Sequence, residues 1–369
     1  MNKRLSIIGR GTVGCMSAIK FHNLGYKIDW YHDPNTPPLS VGEGTTLQIP
    51  RFMSDELGLN YNDLDLFDAH YKQGIEKINW TKKPFTHHFP LGSMALHFNA
   101  NKFQEYVIDK LKDKVNIIEQ RVKHNDVNNY IIDCSGTPSK EKEILNTPIP
   151  VNKARIIQCL WDKPKFNYTL CIAKKWGWVF LIPLKNRCSV GYLYNELYSD
   201  FDEIESELQD ILKKYNLVAT NGNTLDFRNY YREKNYTDKV SYNGNASSFL
   251  EPLEATSLYT AYRNIDKTNK VILGEIDYNS ANKDYRNMME ETIDIIMLHY
   301  LVKPPYKTEF WEMAHYNAVS WFVDRFESYP KIRLISGKGP LSYSAWKKDS
   351  FKQNIKGLKL HNKLKELNG

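Results

Sequence analysis

The sequence predicts an α/β fold: a nucleotide-binding βαβ unit at the N-terminus, an inserted sheet-rich layer, and a short helical C-terminal part. An apolar run leads into a glycine-rich loop and a helical pattern at the start of the chain. Residues from about 150 to 240 are richer in strand formers and aromatics than their flanks. The 369 residues contain no Gly/Ser-rich or Pro-rich linker. We therefore expect one main unit over residues 1–305 and a C-terminal part over 306–369.

The first three elements predict the βαβ unit. Residues 5–8 form a short apolar run that ends at Gly9, as a buried parallel strand does. Residues 15–24 follow with apolar side chains at helical spacing, and Gly25 supplies the stop. Residues 27–31 then predict the second strand.

The loop between the first strand and the helix has the pattern GxGxxG. The candidate nucleotide-binding residues in it are Gly9, Gly11, Thr12, Val13 and Gly14. In this pattern the first glycine allows a tight turn, the second lets a pyrophosphate approach, and the third permits close helix–strand packing. The free N–H groups of the helix N-terminus favour a phosphate. The loop alone does not separate NAD from FAD.

The second strand is expected to end in an acid that binds a ribose hydroxyl. Asp33 lies 19 residues after Gly14, close to the usual spacing of about 20. The alternative position, one residue earlier, is His32. We assign the role to Asp33.

Further elements follow from local patterns. Apolar spacing predicts helices near residues 103–111 and 204–212, and a terminal helix over residues 358–367. Short apolar runs before glycine or Cys-Ser-Gly predict strands at residues 130–133 and 271–273.

Charge and composition exclude several classes of protein. The formal net charge of +7 comes from 50 Lys and Arg against 43 Asp and Glu, and 38 of the cations are lysines spread along the chain. Nucleic-acid binders usually cluster their cations on one face, so we expect no nucleic-acid partner. No apolar run is long enough for a membrane helix, and no signal peptide is apparent. We expect a cytoplasmic protein with no membrane partner.

No metal site is predicted. The five cysteines show no CxxC pair, and His87, His88 and His97 lack HxxxH spacing. Surface or polar-core histidines are the favoured interpretation.

Four other segments carry more specific patterns. Residues 41–45 (VGEGT) form a glycine-punctuated loop, and residues 71–75 (YKQGI) place a lysine 29 positions after Glu43. Residues 176–183 (WGWVFLIP) contain three large aromatics in five positions. Residues 248–257 (SFLEPLEATS) contain two acids around a proline and then small hydroxyl residues.

Together these segments resemble the flavin-dependent halogenases, the group that includes the tryptophan halogenases. Residues 41–45 are similar to that family's VGEAT loop, 178–183 to its WxWxIP signature, 249–256 to its FxEPLEST segment, and 132–136 (IDCSG) to its DCSG strand end. Residues 298–300 (LHY) and 310–311 (FW) match two further positions. The matches occur in the family's order, from Leu5 to about Trp311, which makes a chance resemblance implausible.

The resemblance implies a Rossmann-like FAD-binding fold of the flavin monooxygenase type. It adds flavin-site candidates to those of the GxGxxG loop: Gly42, Glu43, Thr45, Asp133, Ser135, Gly136 and Leu250. It implies FAD, used as FADH2 from a separate flavin reductase, together with O2 and chloride, bromide or iodide. The oligomeric state is left open.

The resemblance also implies roles in the reaction. Hypohalous acid would travel through a tunnel to an essential lysine, here Lys72, and burial would favour the neutral amine of such a lysine. Glu254 matches the family acid that positions the halogenating species and accepts the ring proton. The matching halide-site residues are Thr256 and Ser257, and the tunnel-wall residues are Trp178, Phe180, Ile182 and Pro183. Purely structural alternatives are helix capping by the hydroxyls of Thr256 and Ser257, and core packing by the four tunnel-wall residues.

Two departures from the family pattern stand out. Phe180 replaces a tryptophan, and Ala255 replaces the serine that follows the acid. The chain also has little sequence after Trp311 for a closing lid. We therefore expect a more open substrate site, which favours larger or varied electron-rich aromatics over a clamp for free tryptophan. The expected partner is a small aromatic molecule, such as an indole or phenol. The alternative functions are an FAD-dependent aromatic hydroxylase of the same fold and a non-catalytic flavin-binding protein.

Overall fold

A computed structural model describes residues 3–36, 42–138, 143–328 and 348–367. The strands are β1 Arg4–Ile8, β2 Lys27–His32, β3 Gly42–Gly44, β4 His70–Lys72, β5 Gly74–Ile78, β6 Phe85–His88, β7 Ala95–Asn99, β8 Asn116–Glu119, β9 Tyr130–Asp133, β10 Ile144–Asn146, β11 Lys153–Leu160, β12 Tyr168–Lys174, β13 Gly177–Pro183, β14 Arg187–Tyr194, β15 Val218–Asp226, β16 Tyr230–Arg232, β17 Val240–Tyr242 and β18 Ser248–Phe249. The α-helices are α1 Thr12–Asn23, α2 Gln48–Leu57, α3 Ala100–Leu111, α4 Phe201–Lys214, α5 Thr256–Leu273, α6 Tyr278–Tyr300, α7 Glu309–Ser328, α8 Lys348–Gly357 and α9 His361–Leu367.

The predicted βαβ unit is confirmed. β1 and β2 pair in parallel, and β9, β17 and β8 extend them into a parallel sheet of order β17-β9-β1-β2-β8. Parallel strands need long crossovers, and α1 supplies the first of them. The carboxyl ends of β1 and β9 therefore meet at one edge, where the loops after Ile8 and Asp133 lie together.

The predicted sheet-rich layer is a seven-stranded sheet of order β15-β11-β14-β13-β12-β5-β6. Most neighbours are antiparallel, while β12 and β5 are parallel. Two of its strands, β5 and β6, come from residues before 150. The layer therefore recruits an early segment that the sequence pattern did not assign to it.

A small sheet of order β3-β7-β4 connects the two larger ones. Glu43 pairs with Phe98 of β7, and Lys72 pairs with Ala95 of the same strand. Only Gln73 separates β4, in this small sheet, from β5 in the large one. The small sheet thus sets the spacing between Glu43 and Lys72.

The predicted strand at residues 271–273 is wrong, since these residues form the last turn of α5. Gly274 adopts a left-handed conformation, with φ of 74°, and ends the helix. A short apolar run before glycine fits a helix end as well as a strand end, because both can stop at a glycine. The predicted terminal helix is confirmed as α9, and Gly357 ends the preceding helix α8.

The main core lies between the large sheet and the C-terminal helices. Trp178, Phe180 and Ile182 on one face of β13 belong to the same buried cluster as Ile293 and Ile296 of α6. The alternate residues of β13 pack into a second cluster that includes α4. β13 is therefore buried on both faces, which explains its uninterrupted apolar sequence. In the described ranges, no helix combines the length and apolar character that a bilayer span requires.

Candidate active site

The GxGxxG loop has the geometry of a nucleotide cradle. A Cβ on Gly9 would lie 2.3 Å from the carbonyl oxygen of Cys134, and a Cβ on Gly14 would lie 2.2 Å from that of Gly9. A Cβ on Gly11, by contrast, would meet no heavy atom within 4 Å. Gly9 and Gly14 therefore permit tight backbone packing, while Gly11 faces open space at the start of α1.

Thr12 connects this loop to the small sheet. Its hydroxyl donates to Oε1 of Glu43 at 2.7 Å and accepts from Nε2 of Gln104 at 3.1 Å. Burial raises the pKa of Glu43 to about 7, against the lowering effect of the Thr12 hydrogen bond. Val13 is half-buried at the same end of α1, and Val41 lies outside the described residues.

Asp133, Ser135 and Gly136 border the same edge from β9. The Asp133 carboxylate accepts from the Ser135 N–H at 2.9 Å and lies 2.7 Å from Nε2 of His124. Burial favours the neutral acid, but these partners lower the pKa of Asp133 below its usual value. A Cβ on Gly136 would meet nothing within 4 Å. The open positions at Gly11 and Gly136 fit a dinucleotide laid across the ends of β1 and β9, as FAD would be.

The second-strand acid presents a less simple case. The Asp33 carboxylate accepts from the Asn35 N–H at 2.9 Å and contacts the Thr36 hydroxyl at 3.3 Å, so it braces its own turn. His32 is buried as the last residue of β2, with Nε2 3.3 Å from a guanidinium nitrogen of Arg10. The ribose role of Asp33 stays a prediction, and His32 lies closer to the glycine loop.

Lys72 ends β4 in a buried position. Its ammonium donates to the carbonyl oxygen of Thr45 at 2.9 Å and lies 5.7 Å from the centre of the Phe89 ring. Thr45 is held by two hydrogen bonds with Leu96 of β7, which fix the carbonyl that Lys72 contacts. Burial lowers the pKa of Lys72 to about 8, and the charge of Glu254 opposes that shift.

Glu254 lies in the loop before α5, fully buried, inside a ring of nitrogen groups. Its Oε1 is 2.7 Å from Nζ of Lys77 and 3.3 Å from Nε2 of His299. Its Oε2 is 3.1 Å from Nδ1 of His87. Burial alone would raise the pKa of Glu254, but Lys77 and the two histidines hold it well below its usual value. Lys72 and Glu254, 182 positions apart in the sequence, thus reach one electrostatic environment.

Three of these groups were missed as site residues from the sequence. Lys77 carried a readable signal, because it lies two positions after the buried Ile75 and so shares its strand face. His87 was considered only as a metal ligand and His299 only as a motif match. No local sequence pattern predicts that β5, β6 and α6 meet at the Glu254 carboxylate.

Thr256 and Ser257 begin the first turn of α5, and only Ala255 separates them from Glu254. Thr256 is buried and Ser257 is exposed. Ala255, the preceding residue, has a left-handed φ of 54° and makes no side-chain cap. The first-turn N–H groups are therefore not capped by a side chain at that position, which suits an anion.

The aromatic wall on β13 is buried. The Trp178 indole donates to Oε2 of Glu251 at 3.1 Å, and the Tyr300 hydroxyl donates to the same oxygen at 2.8 Å. Burial raises the pKa of Glu251 to about 7. Ile182 and Pro183 continue the strand, and Leu250 is buried beside Glu251. Glu251 and Tyr300 thus fix the position of the Trp178 indole through hydrogen bonds.

The C-terminal part is helical in the described residues, with α7, α8 and α9 at Glu309–Ser328, Lys348–Gly357 and His361–Leu367. The Ser350 hydroxyl lies 3.0 Å from Nε2 of His87, and the His88 N–H donates to Gln353 at 2.9 Å. α8 therefore packs against one side of the Glu254 cluster. The open substrate site stays a prediction.

The sequence of this chain is similar to those of known halogenases. A family model described as tryptophan halogenase matches residues 4–124 and 107–363. The chain is 25% identical over 302 residues to a tryptophan 6-halogenase of Streptomyces toxytricini, covering 72% of this chain and 57% of that one. It is 25% identical over 443 residues to a tryptophan 7-halogenase of a Kutzneria species, covering 89% and 81%. The alignment thus spans little more than half of the first relative's length.

Solved structures share the fold. A flavin-dependent halogenase from a Brevundimonas species superposes with a TM-score of 0.81 at 20% identity, over 97% of this chain and 90% of that one. A tryptophan halogenase from Shewanella frigidimarina gives a TM-score of 0.82 at 18% identity, over 100% and 93%. The predicted Rossmann-like fold of the flavin monooxygenase type is confirmed by these likenesses.

Proposed function

The chain belongs to the tryptophan halogenase family, and on that premise we propose that it halogenates an electron-rich aromatic ring, using reduced FAD, O2 and a halide. The observation that carries the proposal is the buried ammonium of Lys72, which is bound to a backbone carbonyl beside the Glu254 cluster. Burying a lysine is costly, and Lys72 has no ion-pair partner in the described part of the chain, which supports a functional role for it.

Residues of the chain would hold the cofactor at two places. The GxGxxG loop and the start of α1 would bind the pyrophosphate, and the Glu43 and Asp133 segments would border the rest. When bound, reduced FAD supplies the oxidation of halide by O2 to hypohalous acid. Halide would bind at the first turn of α5, at Thr256 and Ser257, where N–H groups favour an anion.

Lys72 would then hold the oxidised halogen. Its lowered pKa gives more neutral amine near neutral pH than an exposed lysine has, which suits either a hydrogen bond to hypohalous acid or a haloamine. The buried wall of Trp178, Phe180, Ile182 and Pro183 would keep the aromatic substrate apart from the cofactor. That separation favours halogen transfer over oxygen transfer.

Glu254 would accept the ring proton after the halogen has added. Its depressed pKa keeps it ionised at neutral pH, so it is ready to accept a proton. A cationic ring intermediate is a strong acid, and even a weak carboxylate base removes its proton. Glu254 therefore acts at the end of the step and Lys72 at its beginning.

The substrate and partners belong to the same proposal. Relatives are named for tryptophan, and we propose a small indole, phenol or similar ring, with reduced FAD delivered by a separate flavin reductase. Residues 1–305 would form the FAD-binding halogenase unit and residues 306–369 its helical C-terminal part.

The test is turnover with a flavin reductase, O2, each of chloride, bromide and iodide, and a panel of aromatic compounds, read by mass spectrometry. We expect a mass gain of one halogen for one hydrogen, and its loss by at least about a hundredfold in Lys72→Ala, as for a group that carries the reacting atom. The exposed Lys83→Ala is the matched control and should retain full turnover.

Three results would contradict the proposal. Full halogenation by Lys72→Ala would remove that residue from the mechanism. Oxygenated products without halogen would instead identify an aromatic hydroxylase, and flavin binding without any product would identify a non-catalytic protein.

A further inference from the structure

The cluster around Glu254 contains a second buried lysine that the proposed reaction does not use. Lys77 lies on β5 with no exposed surface, on the same strand face as Ile75. A fully buried lysine normally requires a counter-charge, and Lys77 has one in Glu254 at 2.7 Å. Two buried ammonium groups therefore share a region with one strongly ionised carboxylate.

The two lysines differ in their contacts. Lys77 is paired with Glu254 and also donates to the carbonyl oxygen of Leu253 at 3.2 Å. Within the part of the chain that the structure describes, Lys72 has one hydrogen bond, to Thr45, and no salt bridge. Lys77 is thus the constrained lysine, and Lys72 keeps N–H groups or a lone pair for a ligand.

Among the described residues, titratable groups face Glu254 from five elements. Lys77 approaches from β5, His87 from β6, His299 from α6, Lys72 from β4 and the Cys171 thiol from β12. A further carboxyl, Glu251, is hydrogen-bonded to Trp178 and Tyr300 and so is occupied elsewhere. Burial lowers the pKa of His299, which favours its neutral form. Lys77 is then the principal positive charge that compensates Glu254.

We propose that Lys77 is a positioning residue: it holds Glu254 as an oriented carboxylate, and so leaves Lys72 free to bind the oxidised halogen. This inference rests on the proposed halogenase function. Without Lys77, the buried carboxylate either takes up a proton or turns to Lys72, and each change removes a group from the reaction.

The first experiment measures the ion pair without any catalysis. In Lys77→Met the folded-state pKa of Glu254 rises above its value in the unfolded chain, so the variant loses stability as pH rises through that folded value. We expect the difference in Tm between Lys77→Met and wild type to be larger at pH 8 than at pH 5. The double variant Lys77→Met/Glu254→Gln should lose this pH dependence, and the exposed Lys83→Met should never show it.

The second experiment measures halogenation against pH. We expect the acidic limb of the Lys77→Met and Lys77→Gln profiles to move to higher pH, with at least about a tenfold loss of product formation at pH 6, since each pH unit of the shift is a tenfold change in ionised Glu254. Lys77→Arg keeps the charge and should restore the profile. Lys77→Gln retains a hydrogen-bond donor, so it reports even where the methionine variant fails to fold.

The outcomes separate the two proposals. A wild-type pH profile of halogenation in both neutral variants would overturn the role of Lys77. A Tm difference that does not change with pH, combined with lost halogenation, would show that Glu254 turns to Lys72 and does not take up a proton. Absence of halogenation by the wild-type chain would overturn the proposed function instead, while the Tm series would still show whether Lys77 and Glu254 are paired.

Discussion

At the residue scale, chemistry here depends on which charges have partners. Lys72 and Lys77 are both lysines on short strands and both buried, yet only Lys77 has a carboxylate within 4 Å among the described residues. The proposed difference in role therefore follows from the position of Glu254, which belongs to a loop about 180 residues away.

Gly11 supports a prediction at this scale. Its backbone is extended, with φ of −68° and ψ of 178°, and its Cβ position is open, so any residue can be placed there without strain. We predict that Gly11→Val leaves the Tm of the cofactor-free protein unchanged and weakens FAD binding by at least about tenfold, equivalent to about 1.4 kcal/mol. Flavin fluorescence titration measures the affinity.

Gly222→Val in β15, which belongs to the seven-stranded sheet and not to the parallel sheet that carries the glycine loop, is the matched control and should bind FAD as wild type does. Unchanged FAD affinity in Gly11→Val would show that the pyrophosphate does not pass this residue.

At the element scale, β13 and its neighbour β14 determine the wall of the site. A Cβ on Gly191 of β14 would lie 2.2 Å from the Phe180 ring and 2.8 Å from Cδ1 of Ile156. The phenyl ring at 180 thus occupies the space that a side chain at 191 would need. Glycine in the middle of a central strand is otherwise unfavourable, so this pairing explains it.

We therefore predict that Gly191→Ala destabilises the protein by about 1–3 kcal/mol, because overpacking a buried strand forces ring and backbone to shift. Chemical denaturation measures the free energy of unfolding. The same substitution at the exposed Gly222 should cost less, because an added Cβ there would lie 2.9 Å from the Arg155 guanidinium and 3.1 Å from the carbonyl oxygen of Ile156, both wider than the 2.2 Å contact at Gly191. Equal losses at both positions would refute the packing argument.

The same scale shows what the sequence can and cannot predict. The βαβ unit was readable because strand, glycine loop and helix are consecutive and each has a local pattern. The run at 271–273 was misread because three apolar residues before a glycine carry no period. The joining of β5 to β12 was unreadable, since pairing between strands about 90 residues apart leaves no local signal.

For the site, the sequence supplied Lys72 and Glu254 only through family motifs. It could not supply Lys77, His87 and His299 as partners, because their role arises from the meeting of three elements.

At the scale of the whole molecule, Glu251 joins three parts of the fold. Its carboxylate accepts from Trp178 of the large sheet and Tyr300 of α6, and its own N–H donates to Asn229. A buried carboxyl with two neutral donors and a raised pKa of about 7 favours folding in its protonated form. This junction makes the stability of the whole chain dependent on pH.

We predict that the contribution of Glu251 is full below the usual carboxyl pKa of about 4.5 and is lost as pH rises through 7. Glu251→Gln keeps an acceptor oxygen and removes the ionisation. Its stability relative to wild type should rise between pH 5 and pH 8, by up to about 3 kcal/mol. Thermal unfolding across this range measures the change.

The exposed Glu105→Gln serves as control and should show no such trend. A constant difference between Glu251→Gln and wild type across the same pH range would place the ionisation of Glu251 outside the folding equilibrium.

The single residue between β4 and β5 has a further consequence. Gln73 is exposed, and its side chain is free to vary, but the number of residues at this junction is not. Because successive side chains of a strand point to opposite faces, one inserted residue would turn Lys77 away from Glu254 and bring its neighbour inward. We therefore expect the site to tolerate substitution of Gln73. Natural variation or engineering can change the residue at this position but not the number of residues between β4 and β5.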